Sequence, residues 1–290
     1  MPSYAMIATA LDSLLSRAGP APDGTRLLDT RAGRIRVLDT GGNGPVIVMT
    51  PDGPNVIEHH APLIDLLKRD ARVVCFDMPG FGFSAPRAGY GHTLGQGSDV
   101  VLAVMDALDI REAALAFSCA NGFYAIAAAK KAPQRIRRLL LAQTPGFSAM
   151  PAWTERNVPK AIQTPVVGQL LNRFARRKLA RVWYGMSMPD KPQRAEFRKT
   201  AAHALDHGAC FCLAGVVQGL SRAQADELSG VKAPTILLWG DSDKSHKHTR
   251  AESLLDLLPQ ARIRHLPDCG HFPELEQPDV YVGVVRASAV

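Results

Sequence analysis

The sequence predicts an α/β fold: a mostly parallel sheet of eight strands with helices on both faces and a helical cap inserted between two late strands. Three observations carry that prediction. Short β-branched or apolar runs alternate with helical stretches along most of the chain, as in sheets whose strands are joined by crossover helices. The rhythm stops between Pro145 and Pro234, where the chain turns helical, and strands resume at Thr235. Finally, 290 residues with 46% hydrophobic content suffice to bury a large core, the size at which such folds form one domain plus an insertion.

In chain order, Tyr4, Ile7, Leu11, Leu14 and Leu15 recur at helical spacing and predict a helix that packs on the body or on the partner subunit of a homodimer. This helix lacks the Lys/Arg-rich polar face of a membrane-surface helix. Asp12, Ser13 and Ser16 interrupt any leader, and no apolar run approaches the ~18 residues that span a bilayer. The expectation is a soluble cytoplasmic protein with no membrane association. Residues 26–29 and 34–38, joined by Thr30-Arg31-Ala32-Gly33, read as a hairpin leading into the sheet. Runs at 45–49, 72–76, 113–117, 138–142, 235–239 and 261–266 supply the remaining strands. The expected domains are therefore a core of 1–145 and 232–290 and a cap of 146–231. In the cap, Leu170, Leu171 and Phe174 share a helix face. Trp153, Phe174, Trp183 and Tyr184, with Met186 or Met188, are the candidates for a wall over the carboxyl edge of the sheet, where open α/β folds bind ligands.

Composition narrows the function classes. The net charge of +7 comes without an aromatic-interleaved basic motif, so no nucleic-acid partner is expected. Arg135, Arg137 and Arg138, and then Arg173, Arg176, Arg177, Lys178 and Arg181, read as solvated faces, with steering of an anionic substrate as the sharper alternative. Cys75, Cys119, Cys210, Cys212 and Cys269 are an odd set without a secretion signal, which argues against a disulfide framework. Cys210 and Cys212 form a C-x-C with no second pair at zinc spacing, so no metal site is expected; nor is a cofactor.

Four motifs carry the chemistry: Asp77-Met78-Pro79-Gly80-Phe81-Gly82-Phe83-Ser84 after an apolar strand; Phe117-Ser118-Cys119-Ala120-Asn121-Gly122; Leu237-Leu238-Trp239-Gly240-Asp241-Ser242-Asp243; and Cys269-Gly270-His271-Phe272-Pro273 followed by Leu275-Glu276-Gln277-Pro278. In that order they resemble the α/β-hydrolase superfamily, in particular its capped esterase, epoxide hydrolase and dehalogenase branches, and the likeness extends over nearly the whole chain. It implies a nucleophile on a sharp strand-to-helix turn, an acid after a later strand and a histidine near the end.

The nucleophile can be placed in two registers. A strained turn wants small residues two before and two after it. Ser118 satisfies this with Ala116 and Ala120, whereas Cys119 has Phe117 and Asn121. The flanks favour the other choice. The offset from the Leu108-Asp109-Ile110 turn, which matches a Leu-Gly-Ile-type turn in the family, falls on Cys119. The small-residue helix Tyr124 to Ala129, with Ala132-Pro133 behind it, also fits only Cys119. The reading takes Cys119 as nucleophile, with Ser118 the alternative; a buried cysteine acting as a small hydrophobe is the bland possibility. A thiol is intrinsically nucleophilic, and a helix N-terminus plus a histidine can lower its pKa.

The resemblance makes His271 the general base and Asp243 the acid that orients it, with Asp241 the alternative. His59, His60, His203, His207, His246 and His248 lack such context and are expected at the surface or in the lid. Where the family has His-Gly after its third strand, this chain has Pro51 and Asp52. The oxyanion donors are then the backbone N–H groups of Gly53 and Ala120. Asp52 would oppose a developing oxyanion, serve as a second acid-base group, or simply form a turn. The expected reaction is acyl transfer to water from an ester, thioester or lactone with an apolar portion. A lyase or cyclase that excludes water and a ligand-binding protein with a degenerate site are the alternatives. Dehalogenation and epoxide hydrolysis use an aspartate nucleophile that this turn lacks.

Overall fold

The computed structural model describes residues 3–287. Ten strands run in chain order as β1 (Arg26–Thr30), β2 (Gly33–Asp39), β3 (Val46–Thr50), β4 (Arg72–Phe76), β5 (Phe81–Gly82), β6 (Ala113–Ser118), β7 (Ile136–Ala142), β8 (Cys210–Phe211), β9 (Thr235–Gly240) and β10 (Arg262–Leu266). Eight of them form one sheet in the order β1-β2-β4-β3-β6-β7-β9-β10, and β5 pairs with β8 apart from it. The β1–β2 hairpin and the β2–β4 pair are antiparallel; every other pair of the large sheet is parallel. Each expected strand is present within two residues at either end.

The central strands are apolar on both faces because both faces are covered. Along β3, Val48 joins the core that packs under α3 (Leu94–Ala107) and α4 (Cys119–Lys131). Its neighbours Ile47 and Met49 point the other way, into the core under α2 (Ala61–Leu67) and the helices α10 (Pro273–Glu276) and α11 (Pro278–Ala287). This is the two-residue side-chain period of a strand. Across the sheet, Arg36 is fully buried and is neutralised by Asp77 at 3.2 Å and by Glu58, as a buried charge must be. Arginines nearer the surface pair similarly, half-buried Arg135 with Asp106, and exposed Arg137 with Glu112 and Arg177 with Asp206.

Between β7 and β9 lie α5 (Met150–Asn157), α6 (Lys160–Gln163), α7 (Val167–Ser187), α8 (Pro192–Asp206) and α9 (Leu213–Leu220). One of the wall candidates is displaced here. On α7 the apolar face is turned outward: Leu170, Leu171 and Phe174 are exposed, Phe174 by 85%, so Phe174 forms no part of a buried wall over the sheet. The buried face carries polar Gln169 and Asn172 instead. Asn172 donates to the carbonyl of Phe211 at 2.5 Å and accepts from the amide of Ala214 at 2.9 Å, completing backbone hydrogen bonds where β8 breaks the insert. The N-terminal helix α1 (Tyr4–Leu15) likewise exposes Tyr4, Met6 and Leu14 while burying Ala8 and Asp12. It packs against α7 and α9 through that side. Among the described residues, no helix is long and apolar enough to cross a membrane.

Candidate active site

Four loops at the carboxyl ends of parallel strands converge on one point. The first is the turn from β6 into α4. Ser118 ends the strand in extended backbone, with φ −120° and ψ 155°, and Cys119 opens the helix at φ +50°. A left-handed non-glycine residue is strained, and such strain concentrates at functional turns. Close approach makes the turn possible: a Cβ on Gly122 would lie 2.2 Å from Thr144 Oγ1, and the same hydroxyl donates to the carbonyl of Cys119 at 3.1 Å. Phe117, which favoured the other register on steric grounds, causes no clash. It packs edge-on against Phe76 with ring centroids 6.1 Å apart, inside the core. Asp109, at φ +54°, adopts the left-handed conformation that the glycine of a Leu-Gly-Ile-type turn would take.

The second and third loops bring the acid and the histidine. Asp243 follows β9 and His271 follows β10, and His271 Nδ1 lies 2.6 Å from Asp243 Oδ2. Gln143 Nε2 donates to the same oxygen at 3.1 Å, while the amide and hydroxyl of Ser245 donate to Oδ1 at 2.8 and 2.7 Å. Burial alone would raise the Asp243 carboxyl, but the facing His271, then His246 and the Ser245 donor, hold it below the usual carboxylate range. Asp241 points elsewhere, to His265 at 2.7 Å near the surface. His271 is fully buried and anchored by its own amide to the carbonyl of Ser187 at 2.8 Å. Burial works to depress it, yet Cys119, Asp243 and Asp52 together raise it well above an ordinary imidazole.

Cys119 Sγ and ring nitrogens of His271 and His246 all lie within 4.8 Å of one another, a donor set that a transition metal could also accept. His271 Nε2 makes no hydrogen bond among the described residues; its nearest charged neighbour is Asp52 Oδ2 at 3.6 Å. Asp52 comes from the fourth loop, after β3, which Asn121 ties to α4 by donating to the carbonyl of Pro51 at 3.0 Å. Gly53 is confined by Phe81, whose ring would sit 2.4 Å from any Cβ there. Burial raises the carboxyl of Asp52, against the pull of His271. The Cys119 thiol is raised in turn, by burial and then by Asp52, with His271 and the amide of Ala120 opposing.

Two residues complete the site that sequence reasoning did not place there. His246, expected at the surface or in the lid, is buried between rings, stacked on Trp153 at 5.5 Å and on His271 at 5.4 Å. Both its ring nitrogens lack a partner among the described residues, and burial pushes it down to about 3. Its signal in the sequence is only its place three residues after Asp243. Gln143 is held at φ +48°; a polar residue ending an apolar strand was its faint mark. His59 and His60, also expected outside, are buried. Of the wall candidates, Trp183 meets the His271 ring edge-on at 4.8 Å and Trp153 meets Trp183 at 6.0 Å. Tyr184 is instead a packing residue whose hydroxyl donates to Asn55 Oδ1 at 2.7 Å. Met188 is buried in the same cluster as Tyr184. Ser118 faces the carboxyl of Glu274, which burial raises to about 7 while that hydroxyl opposes the shift.

A parallel sheet of this order, with a strained residue on a strand-to-helix turn and an Asp–His pair on the following strand ends, defines the hydrolase class of α/β proteins. Residues 45–278 match the alpha/beta hydrolase fold family, and the chain belongs to it. Among curated relatives it is 26% identical over 261 residues to a 2-hydroxymuconate semialdehyde hydrolase of Pseudomonas sp. (strain CF600), covering 87% of this chain and 89% of that one. It is also 26% identical over 257 residues to a pimeloyl-[acyl-carrier protein] methyl ester esterase of Nitrosomonas europaea, covering 86% and 98%. Among solved structures, a thermophilic esterase from Thermogutta terrifontis shares the fold with a TM-score of 0.72 at 22% identity, over 91% of this chain and 97% of that one.

The raised thiol has a testable consequence. Below its pKa the thiolate fraction falls about tenfold per pH unit, so alkylation of Cys119 by iodoacetamide should climb steeply through about pH 7 to 9 without a plateau on the acid side. Asp52→Asn removes the anionic neighbour, makes the thiolate less unfavourable and lowers the thiol pKa. The variant should therefore react faster at neutral pH. Alkylation kinetics read by peptide mass check this; a pH profile identical in the two proteins would show that Asp52 carries no charge next to the sulfur.

Proposed function

We propose that this protein is a thiol-dependent hydrolase that transfers an acyl group from an ester, thioester or lactone to water. The reading rests chiefly on one observation: Cys119 occupies the left-handed turn at the start of α4 with its sulfur within 4.8 Å of the Asp243-paired histidine. In the proposed first step the Cys119 sulfur attacks the acyl carbon and its proton passes to His271 Nε2. That proton leaves on the departing alcohol or thiol as the acyl–oxygen or acyl–sulfur bond breaks. Water then attacks the enzyme thioester, giving its proton to His271, and the carboxylic acid departs as the thiol is restored. Asp243 keeps the imidazole in the required tautomer, Gln143 and Ser245 fix Asp243, and the Gly53 and Ala120 amides receive the oxyanion. The methyl ester esterase and the semialdehyde hydrolase among the relatives support hydrolysis as the reaction class; they do not name the substrate.

In this reading the inserted helices act as a cap, and Trp153 and Trp183 form an apolar wall beside the reacting carbon. Trp183→Ala should then change the preference between short and long acyl chains by about tenfold in kcat/KM, since a few buried methylenes are worth roughly 1 kcal/mol each. An unaltered chain-length profile would remove Trp183 from the wall. A second reading is favoured by Asp52: a carboxylate beside His271 Nε2 suits a ligand-binding protein that has lost turnover. Turnover of p-nitrophenyl esters, acyl thioesters and lactones, with intact-mass detection of an acyl adduct on Cys119, separates the two. Adduct and turnover support the hydrolase; neither, with ligand binding retained, supports the second reading.

A further inference from the structure

Beside Gly80 and the end of β8, a second buried cluster joins three segments that are remote in sequence. Asp12 comes from α1, His92 from the loop before α3 and Cys212 from the residue preceding α9. A carboxylate oxygen, an imidazole nitrogen and the thiol sulfur lie within 4.8 Å of one another, and the residues are 5%, 1% and 2% exposed. His92 Nε2 has no hydrogen-bond partner among the described residues. A ring nitrogen left unpaired at that depth is unfavourable unless something occupies it.

Two glycines keep the space around the cluster open. A Cβ on Gly215 would lie 2.6 Å from Asp12 Oδ2 and 2.8 Å from His92 Nε2, and one on Gly80 would lie 3.0 Å from His92 Cε1 and 3.1 Å from Cys212 Sγ. The Asp12 carboxylate is already oriented by Gln169 Nε2 at 3.2 Å, and Ser16 Oγ sits 3.1 Å from Cys212 Sγ. A cavity of about 270 Å³, lined in part by Asp12, Ser16, Gln169 and Cys212, adjoins the cluster and gives an ion an approach.

We propose that Asp12, His92 and Cys212 bind a divalent transition-metal ion of the zinc type, with Ser16 Oγ or water as the fourth donor. One oxygen, one nitrogen and one sulfur donor form a borderline-soft set that suits zinc and disfavours calcium or magnesium. A thiolate and a carboxylate balance the 2+ charge, as a buried site requires; Arg222 near His92, and Arg17, Arg173 and Arg176 along the adjoining cavity, are the cations that work against it. Binding takes the proton from the thiol and draws the three donors inward. The ion would then fasten α1 and the inserted helices to the core, because each donor sits on one of those parts. The spacing argument that excluded zinc at Cys210 and Cys212 is blind to a site assembled from three such segments.

The test uses the full chain, stripped with a chelator and titrated with Co²⁺ and then Zn²⁺. One equivalent of Co²⁺ should produce a thiolate-to-cobalt band in the near ultraviolet that Zn²⁺ abolishes, and one equivalent of Zn²⁺ should raise the thermal midpoint by roughly 3 °C or more. Cys212→Ser should lose the band and Cys119→Ser should keep it, which separates this cluster from Cys119, His246 and His271. Should Cys212→Ser fail to fold, His92→Gln and Asp12→Asn replace it, each with at least ~100-fold weaker binding expected. No stoichiometric binding by the wild-type chain overturns the proposal, leaving a thiol–carboxylate pair without metal. So does a band that depends on Cys119 rather than on Cys212.

Discussion

Cys119→Ala is expected to abolish both turnover and acyl labelling, a rate loss of about a thousandfold or more, while Ser118→Ala keeps both within a few-fold. The asymmetry follows from backbone geometry. Cys119 carries the left-handed φ of +50° that lifts its side chain out of the strand direction, and its sulfur lies near His271. Ser118 is the last residue of β6 in extended conformation and faces Glu274. Removing its buried hydroxyl beside Glu274 should cost stability more than rate. Cys119→Ser should retain weak activity with slow breakdown of an acyl-enzyme, since the serine oxygen attacks poorly without a strongly activated base but forms a stabler ester. Initial rates on a thioester, with intact mass after an acyl probe, decide the matter. A dead Ser118→Ala beside an active Cys119→Ala would move the chemistry to the hydroxyl.

If His271 is the proposed proton carrier, His271→Ala is expected to lower kcat by about 100- to 10,000-fold with the fold intact, because the residue lies on a loop after β10 and its ring contacts are with site side chains rather than with the sheet. Asp243→Asn should approach the same loss, since the amide cannot hold the Nδ1 proton in place and favours the wrong tautomer. Gln143→Ala should cost less than either: Asp243 keeps both Ser245 donors and loses only one of its four contacts. The ordering His271, Asp243, Gln143 is the readout. Steady-state kinetics, with circular dichroism to confirm folding, measure it. A His271→Ala variant within threefold of the wild type would remove the histidine from the mechanism.

Much of this was legible in the residues alone. Strand positions follow from local β-branched runs, and the mostly parallel arrangement follows because apolar runs buried on both faces admit little else, whereas the strand order came only from the structure. The Asp–His pair was readable because its members sit at fixed offsets from strand ends, where backbone geometry rather than distant packing positions them. That holds equally for Cys119, whose turn is set by its flanks.

Only the tertiary structure decided what depends on segments far apart in sequence. Phe117 looked too large for the turn because a sequence does not show that the space beneath β6 continues to Phe76. The outward apolar face of α7 follows from Asn172 serving the β8 backbone 39 residues away, a demand with no helical period. His246 enters the site through stacking between Trp153 and His271, and Asp12, His92 and Cys212 meet only where α1, α9 and a core loop dock together. Local propensity and strand-end offsets are properties of short windows, so a sequence states them directly; contacts between remote segments arise only when the core closes.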